Sequence, residues 1–277
     1  PTTHDFGYGP MAAHRHPNGG GWVADTAYVG PAAYVGEHAQ VSGSARVLGH
    51  ARIEDRARVY GSASVRENAR VSERARVHGS ALIRDHAHVS GSADIHGKAI
   101  LTDHVTVLGH ARVEDQARLA GFVTVNAHAR VCGDATACHG VVVGGNAVVS
   151  GSAVLTNHVL VADSARVVGG RLSGNIMVDG AARVCAGANV RTSADLMHGQ
   201  ADDHYWTAVR TEKKGVLLTI GCATASLDAW PRKLKEFSYN TAENRKRDHK
   251  GLRLLIALIR HVMGSRPRRK KGKTDAR

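Results

Sequence analysis

Histidine stands where metal chemistry could be done. The chain carries 18 histidines, and His50, His86, His104 and His158 fall at one position of a regular pattern, with Asn68, Phe122 and Gly140 at the equivalent places between them. His86 and His104 are consecutive in that series, and Asp85 and Asp103 precede them. Two imidazoles with a carboxylate form a donor set for a zinc-type ion, so His86, His104 and Asp103 are the metal candidates. The competing reading is a solvent-facing polar ladder that calls for no cofactor. Arg58, Arg76, Arg112, Arg130 and Arg166 form a second series, interrupted by Asp94 and Val148. Stacked like charges repel, so either nearby acids neutralise them or a polyanion lies along them.

What places these residues in columns is a six-residue period. From Ala27 to Ala165 an Ala or Val falls on every sixth residue, and two residues later comes Val, Ile or Leu, with Ala137 the one exception. Internal periodicity of this kind decides architecture before local propensity does. In a strand, residues i and i+2 face the same way, so Ala51 and Ile53 point inward while Arg52 points to solvent. At Val105, Val123, Val141 and Val159 the small residue becomes Val, and these four are eighteen residues apart. Three six-residue units therefore make one coil, and the cross-section is a triangle. Gly43, Gly61, Gly79 and Gly97 share a corner, where a left-handed backbone is cheap for Gly, and Asp55, Asp103 and Asn157 tolerate the same conformation elsewhere.

The runs Ala45-Arg46-Val47-Leu48-Gly49-His50 and Ala51-Arg52-Ile53-Glu54-Asp55-Arg56 resemble the hexapeptide-repeat, left-handed β-helix proteins of bacteria and their phages. The opening Gly20-Gly21-Trp22-Val23 and the A-x-V-x-G-x pattern are most similar to uncharacterised bacterial and phage members. Left-handedness is what the resemblance implies, since crossovers are otherwise right-handed. Acyltransferases of this superfamily work as trimers with a catalytic His and a loop that breaks the repeat. No such loop occurs between Ala27 and Ala165, and the His-x4-His pair of the related carbonic anhydrases is absent from the sequence.

The period slips once. It resumes at Gly170, Ile176, Ala182, Ala188 and Ala194, with Leu172, Val178, Val184, Val190 and Leu196 two residues on, so one residue is missing after Ala165. The expected organisation is a capped N-terminal segment over residues 1–26, a triangular all-β helix of roughly nine to ten coils over 27–199, and an α+β module over 200–264. A basic tail, disordered by composition, follows over 265–277. A composition 43% hydrophobic but only 4% aromatic suits a narrow interior of Ala and Val. Trp22 is expected to close the open end of the coil, which would otherwise invite end-to-end stacking.

Charge divides the chain. Residues 1–203 hold equal numbers of basic and acidic residues, so the whole formal charge of +13 lies beyond Asp203. That part reads as a strand Tyr205 to Thr211, a turn at Glu212 to Gly215 and a strand Val216 to Cys222. A short helix around Trp230 follows, with Pro231 in its first turn. A longer helix is expected from Thr241 to Met263, with Leu252, Leu255, Ile256, Ile259 and Met263 on one face. Arg245, Lys246, Arg247, Lys250 and Arg253 crowd its first half, and Arg268, Arg269, Lys270 and Lys271 lie in the tail. The segment Trp206-Thr207, Arg210-Thr211, Gly221-Cys222, Leu227-Asp228 and Trp230 resembles a C-terminal module of phage and prophage proteins.

Three functions compete on these grounds. The leading one is a non-enzymatic scaffold whose C-terminal module binds a host or viral protein, an anti-defence role being one form that the phage resemblance implies. The second is nucleic-acid binding by the basic residues just named, which weakens steeply with salt. The third is the acyltransferase. Val142, Val148, Val154, Leu160 and Val168 replace polar residues on the outer surface and mark a docking patch or an interface between copies. No apolar run reaches the eighteen or so residues of a membrane span, and no secretory signal is evident, so no membrane partner is expected. Cys132, Cys138 and Cys185 are too far apart in the coil to join, and Cys222, outside the coil, is the one thiol left to meet one of them; four free thiols fit a host-cell cytoplasm, with a virion the other setting.

Overall fold

Each six-residue unit yields one two- or three-residue strand, and successive strands fall in turn on three different parallel sheets. The computed structural model describes residues 2–201, 204–211, 215–220, 223–237 and 250–264. The chain forms two compact units, residues 1–193 and 194–277. The first is a parallel β-solenoid of about nine coils. Val77, Ile95 and Val113 show the register, each paired with the residue eighteen further along. From Ala33 to Ala165 every inward Ala, Val, Ile and Leu of the period is buried. A buried Val or Ile contributes roughly 1.5–3 kcal/mol, and each coil bonds only to its neighbours.

The three sides can be named by their outward columns. The first side carries Trp22, Gln40, Arg58, Arg76, Asp94, Arg112, Arg130, Val148, Arg166 and Arg183 in register. The second runs from Tyr28 through Arg46 to Asn189, and the third from Tyr34 through Arg52 to Met177. The slip in the period is a coil of seventeen residues: Leu155 pairs with Leu172 and Val161 with Val178, before Leu172 to Val190 restores eighteen. Gly169 and Gly170 both have positive φ, of 74° and 86°, and turn the corner with one residue fewer.

Corners hold the coils in register by a device beyond backbone tolerance. Asp55, Glu67, Asp85, Asp103, Asp115 and Asp163 all have positive φ. Each offers a carboxylate oxygen to a backbone N–H of the next coil: Asp55 to Glu73 at 2.9 Å, Asp103 to Gly121 at 2.9 Å, Asp115 to Gly133 at 2.9 Å and Asp163 to Gly180 at 3.0 Å. Glu67 and Asp85 do the same for Asp85 and Asp103, at 3.4 and 3.2 Å. A carboxylate accepting a backbone N–H makes a charge-assisted bond, stronger than a neutral one.

The N-terminal segment extends the first side. Strand Thr3–Asp5 pairs antiparallel with Pro10–Arg15, which pairs antiparallel with Trp22–Ala24, and the last joins the coil in parallel at Gln40–Val41. Phe6, Ala13 and Ala24 form a small core with Met11 and Trp22 against it. The indole of Trp22 is stacked on His4 at 4.4 Å and lies 4.2 Å beneath the Arg15 guanidinium. Residues 16–21 cover the top of the third side, where Val35 donates to the Asn18 carbonyl at 3.0 Å and Gly21 donates to that of Val35 at 2.9 Å.

The expected period runs on through Ala194 and Leu196, but the last coil strand is Asn189–Val190 and Leu196–Ala201 instead opens an antiparallel sheet. An apolar residue two after a small one suits either kind of strand. That sheet continues through His204–Thr211, Gly215–Ile220 and Ala223–Ser226, so the expected hairpin is its central pair. Helix α1 spans Trp230–Phe237 and α2 spans Lys250–Gly264. The expected α2 face of Leu252, Leu255, Ile256, Ile259 and Met263 is buried, in one core with Trp206, Leu218, Ile220 and Trp230. Arg210 donates to the Met263 carbonyl at the end of α2 and to the buried Asp195 carboxylate at 3.1 Å. The expected helical stretch from Thr241 to residue 249 and the tail over 265–277 lie outside the described residues. Among the described residues, no helix is long and apolar enough to cross a membrane.

Acid should destabilise this fold in two stages. Burial pushes the His88 imidazole below its ordinary 6.5, and the Gly121 N–H donating to Asp103 holds that carboxyl below its ordinary 3.8. In both cases the unfolded chain takes up the proton more readily. Stability should therefore be full above about pH 6.5, fall as His88 protonates in the unfolded state, and fall again below about pH 4 as Asp103 does. Melting followed by circular dichroism at neutral, mildly acidic and strongly acidic pH checks the trend. His88→Gln should flatten the first decline, and a melting temperature that rises on acidification contradicts the argument.

Candidate functional site

The histidines singled out by the sequence do stack. His86 and His104 lie 5.1 Å apart at 14°, and His104 stacks on Phe122 at 4.8 Å and 3°. Their acids point elsewhere. Asp103 accepts from Gly121 and from the Thr102 hydroxyl at 3.1 Å, and Asp85 accepts from the Asp103 N–H and pairs with Arg84 at 3.3 Å. His86, His104 and Asp103 thus form an aromatic ladder beside a row of corner clamps, with the carboxylate committed to the backbone.

Imidazoles and a carboxylate converge on the first side instead. Two residues beyond the arginine column runs another column, Tyr60, His78, His96, Glu114 and Cys132. Tyr60 stacks on His78 at 4.6 Å and 6°, and His78 and His96 lie 4.9 Å apart at 30°. Asp94 places Oδ1 3.1 Å from His78 Nε2, while its other oxygen lies 3.8 Å from Arg76. His96 Nε2 is 3.2 Å from Glu114 Oε2, and Glu114, nearly buried, is paired by Arg130. Burial, offset in part by Asp94, pushes the His78 imidazole below its ordinary value. Burial likewise pushes the Cys132 and Cys138 thiols up, away from thiolate chemistry. The signal was present in the sequence as Tyr, His, His, Glu and Cys at eighteen-residue spacing. It escapes a reading that follows one repeat position at a time, because Asp94 occupies a different position from the two histidines.

The arginine column is partly neutralised from within. Asp94 serves Arg76, and Glu114 serves Arg130. On the third side Glu54 pairs with Arg52 at 2.7 Å and with Arg70.

The five outward apolar residues are divided among the sides. Val142 and Leu160 are adjacent on the third side and continue into Met177, which is 55% exposed. Val148 and Val168 are on the first side and Val154 on the second. Only the Val142, Leu160 and Met177 strip is contiguous within one outward column.

In the C-terminal unit, α2 has two apolar faces. Flanking the buried one, Leu254, Leu258 and Val262 stand at four-residue spacing with exposures of 64%, 52% and 50%. The sequence reading assigned α2 one apolar face and a basic first half, and so passed over these three. Arg260 lies 3.4 Å from Asp228. Arg245, Lys246, Arg247 and Arg268, Arg269, Lys270 and Lys271 lie outside the described residues, as does the side chain of Lys250. No protein-family model matches the chain, and no curated protein matches it.

Proposed function

We propose that the chain is a non-enzymatic interaction protein in which a β-solenoid carries a C-terminal unit that binds another macromolecule. The observation that carries this reading is the second apolar face of α2. Three large aliphatic side chains on one stripe of a well-packed helix resemble the anchors of a helix-in-groove contact. A strand every six residues on three sides supports the finer assignment to the hexapeptide-repeat, left-handed proteins of bacteria and phages. A phage or prophage protein acting on a host component in the cytoplasm, in an anti-defence role, fits that resemblance.

The test is a photo-crosslinking residue at position 258, and separately at position 112 on the solenoid, in full-length protein expressed in bacterial cells. A discrete protein adduct is expected from position 258 alone. Leu254→Glu should weaken it more than tenfold, a loss of about 1.4 kcal/mol or more. No adduct, or equal adducts from both positions, would end this reading.

A second reading, nucleic-acid binding, is favoured by the +13 charge concentrated beyond Asp203. It expects nuclease-sensitive adducts, and binding to DNA or RNA at about 50 mM salt that is largely lost at about 200 mM and on truncation after Gly264.

A further inference from the structure

We propose that His78, Asp94 and His96 form a binding site for a divalent late first-row transition ion of the zinc type, held by two imidazole nitrogens and one carboxylate oxygen. The three donor atoms lie within 4.8 Å of one another. Imidazole and carboxylate together suit Zn2+, with bonds of about 2.0–2.2 Å, so tetrahedral donors sit roughly 3.3 Å apart. His78 Nε2 and Asp94 Oδ1, at 3.1 Å, are already at that spacing. Only His96 has to move, closing a gap of at most about 1.5 Å, which a side-chain rotation supplies.

A second observation separates this pair from the other stacked rings. His86 with His104, His104 with Phe122, and His110 with His128 lie within 14° of parallel, as does Tyr60 with His78. His78 and His96 are tilted by 30°. The tilt accompanies carboxylates at both imidazoles, Asp94 at His78 and Glu114 at His96. Asp94 and His96 sit on one strand and its continuation, and His78 on the coil before, so parallel pairing of Arg76 with Asp94 fixes their separation. Donors on a rigid scaffold need little ordering to bind. All three side chains are half-buried, which leaves a fourth position to water.

The test uses full-length protein stripped with chelator, titrated with Zn2+ by calorimetry and with Co2+ by visible absorption. One equivalent is expected, with the intense bands of tetrahedral Co2+. Asp94→Asn and His96→Asn should each weaken binding by more than about 100-fold, since even outer-shell partners cost 10–100-fold. His86→Asn should leave it unchanged. Because Asp94 also faces Arg76, each variant is checked by circular dichroism. Histidine ring NMR of the unaltered protein gives an independent readout, with Zn2+ expected to shift the His78 and His96 signals selectively. Unaltered binding in folded Asp94→Asn and His96→Asn, loss with Cys132→Ser, ring shifts at other histidines, or no saturable binding would each overturn the assignment.

Discussion

Trp230→Ala should unfold the C-terminal unit and leave the solenoid standing. The indole is fully buried, and its Nε1 donates to the Leu218 carbonyl at 2.6 Å, joining α1 to the middle of the antiparallel sheet. Around it sit Trp206, Leu218, Leu234 and the inner face of α2. Truncating a buried aromatic costs about 3–5 kcal/mol, and an orphaned carbonyl costs about 1–3 kcal/mol more. A domain of this size is stable by only about 5–15 kcal/mol. Near-ultraviolet circular dichroism should show loss of aromatic signal at ambient temperature, while the far-ultraviolet β-signal melts at its original midpoint. Trp230→Phe, which keeps most of the ring volume but loses the donor, should fall between. A single unaltered transition in the alanine variant would refute the argument.

The largest effect within the solenoid is expected from Ile95→Asp. Ile95 has no exposed surface and is stacked between Val77 and Val113. A carboxyl there has neither water nor a partner, and several kcal/mol of desolvation falls on one coil. Since each coil is stabilised by its neighbours, a failed coil separates the two halves of the stack. The expected outcome is protease cleavage near residue 95 and loss of a single cooperative melt. Ile95→Val, losing one methylene, should cost about 0.5–1.5 kcal/mol and keep the melt intact. Protection of the aspartate variant equal to that of the unaltered chain would show that the interior tolerates charge.

The interior was legible because burial there is periodic and almost every position answers to it. The seventeen-residue coil could be seen from Gly170 alone, since a missing residue shifts every later apolar position. The corners were half legible. Asp55 and Asp103 read as residues that tolerate a left-handed backbone, but the hydrogen bond from the next coil exists only after the coils stack. Asp94 was read as a gap in a row of arginines, and became an ion-pair partner and a neighbour of His78 once two repeat positions met in space. In α2 the inner face followed from helical spacing. Leu254, Leu258 and Val262 form a second stripe that a one-faced amphipathic pattern hides.

The corner clamps and the coil period together set which changes of length the gene can absorb. Every carboxylate clamp reaches forward by one coil, and every strand pairs with the equivalent strand of the next. Excision of residues 62–79 would bring Gly61 against Gly97 in the place of Gly79, with all three sides still aligned. Excision of six residues would instead turn everything downstream by a third of a revolution, setting the arginine column of the first side beneath the outward column of another side. Insertions and deletions are thus filtered in multiples of eighteen. The solenoid lengthens or shortens in steps of one strand spacing, about 4.8 Å, while a loss of one residue is survivable only where two glycines, as at Gly169 and Gly170, can close the corner.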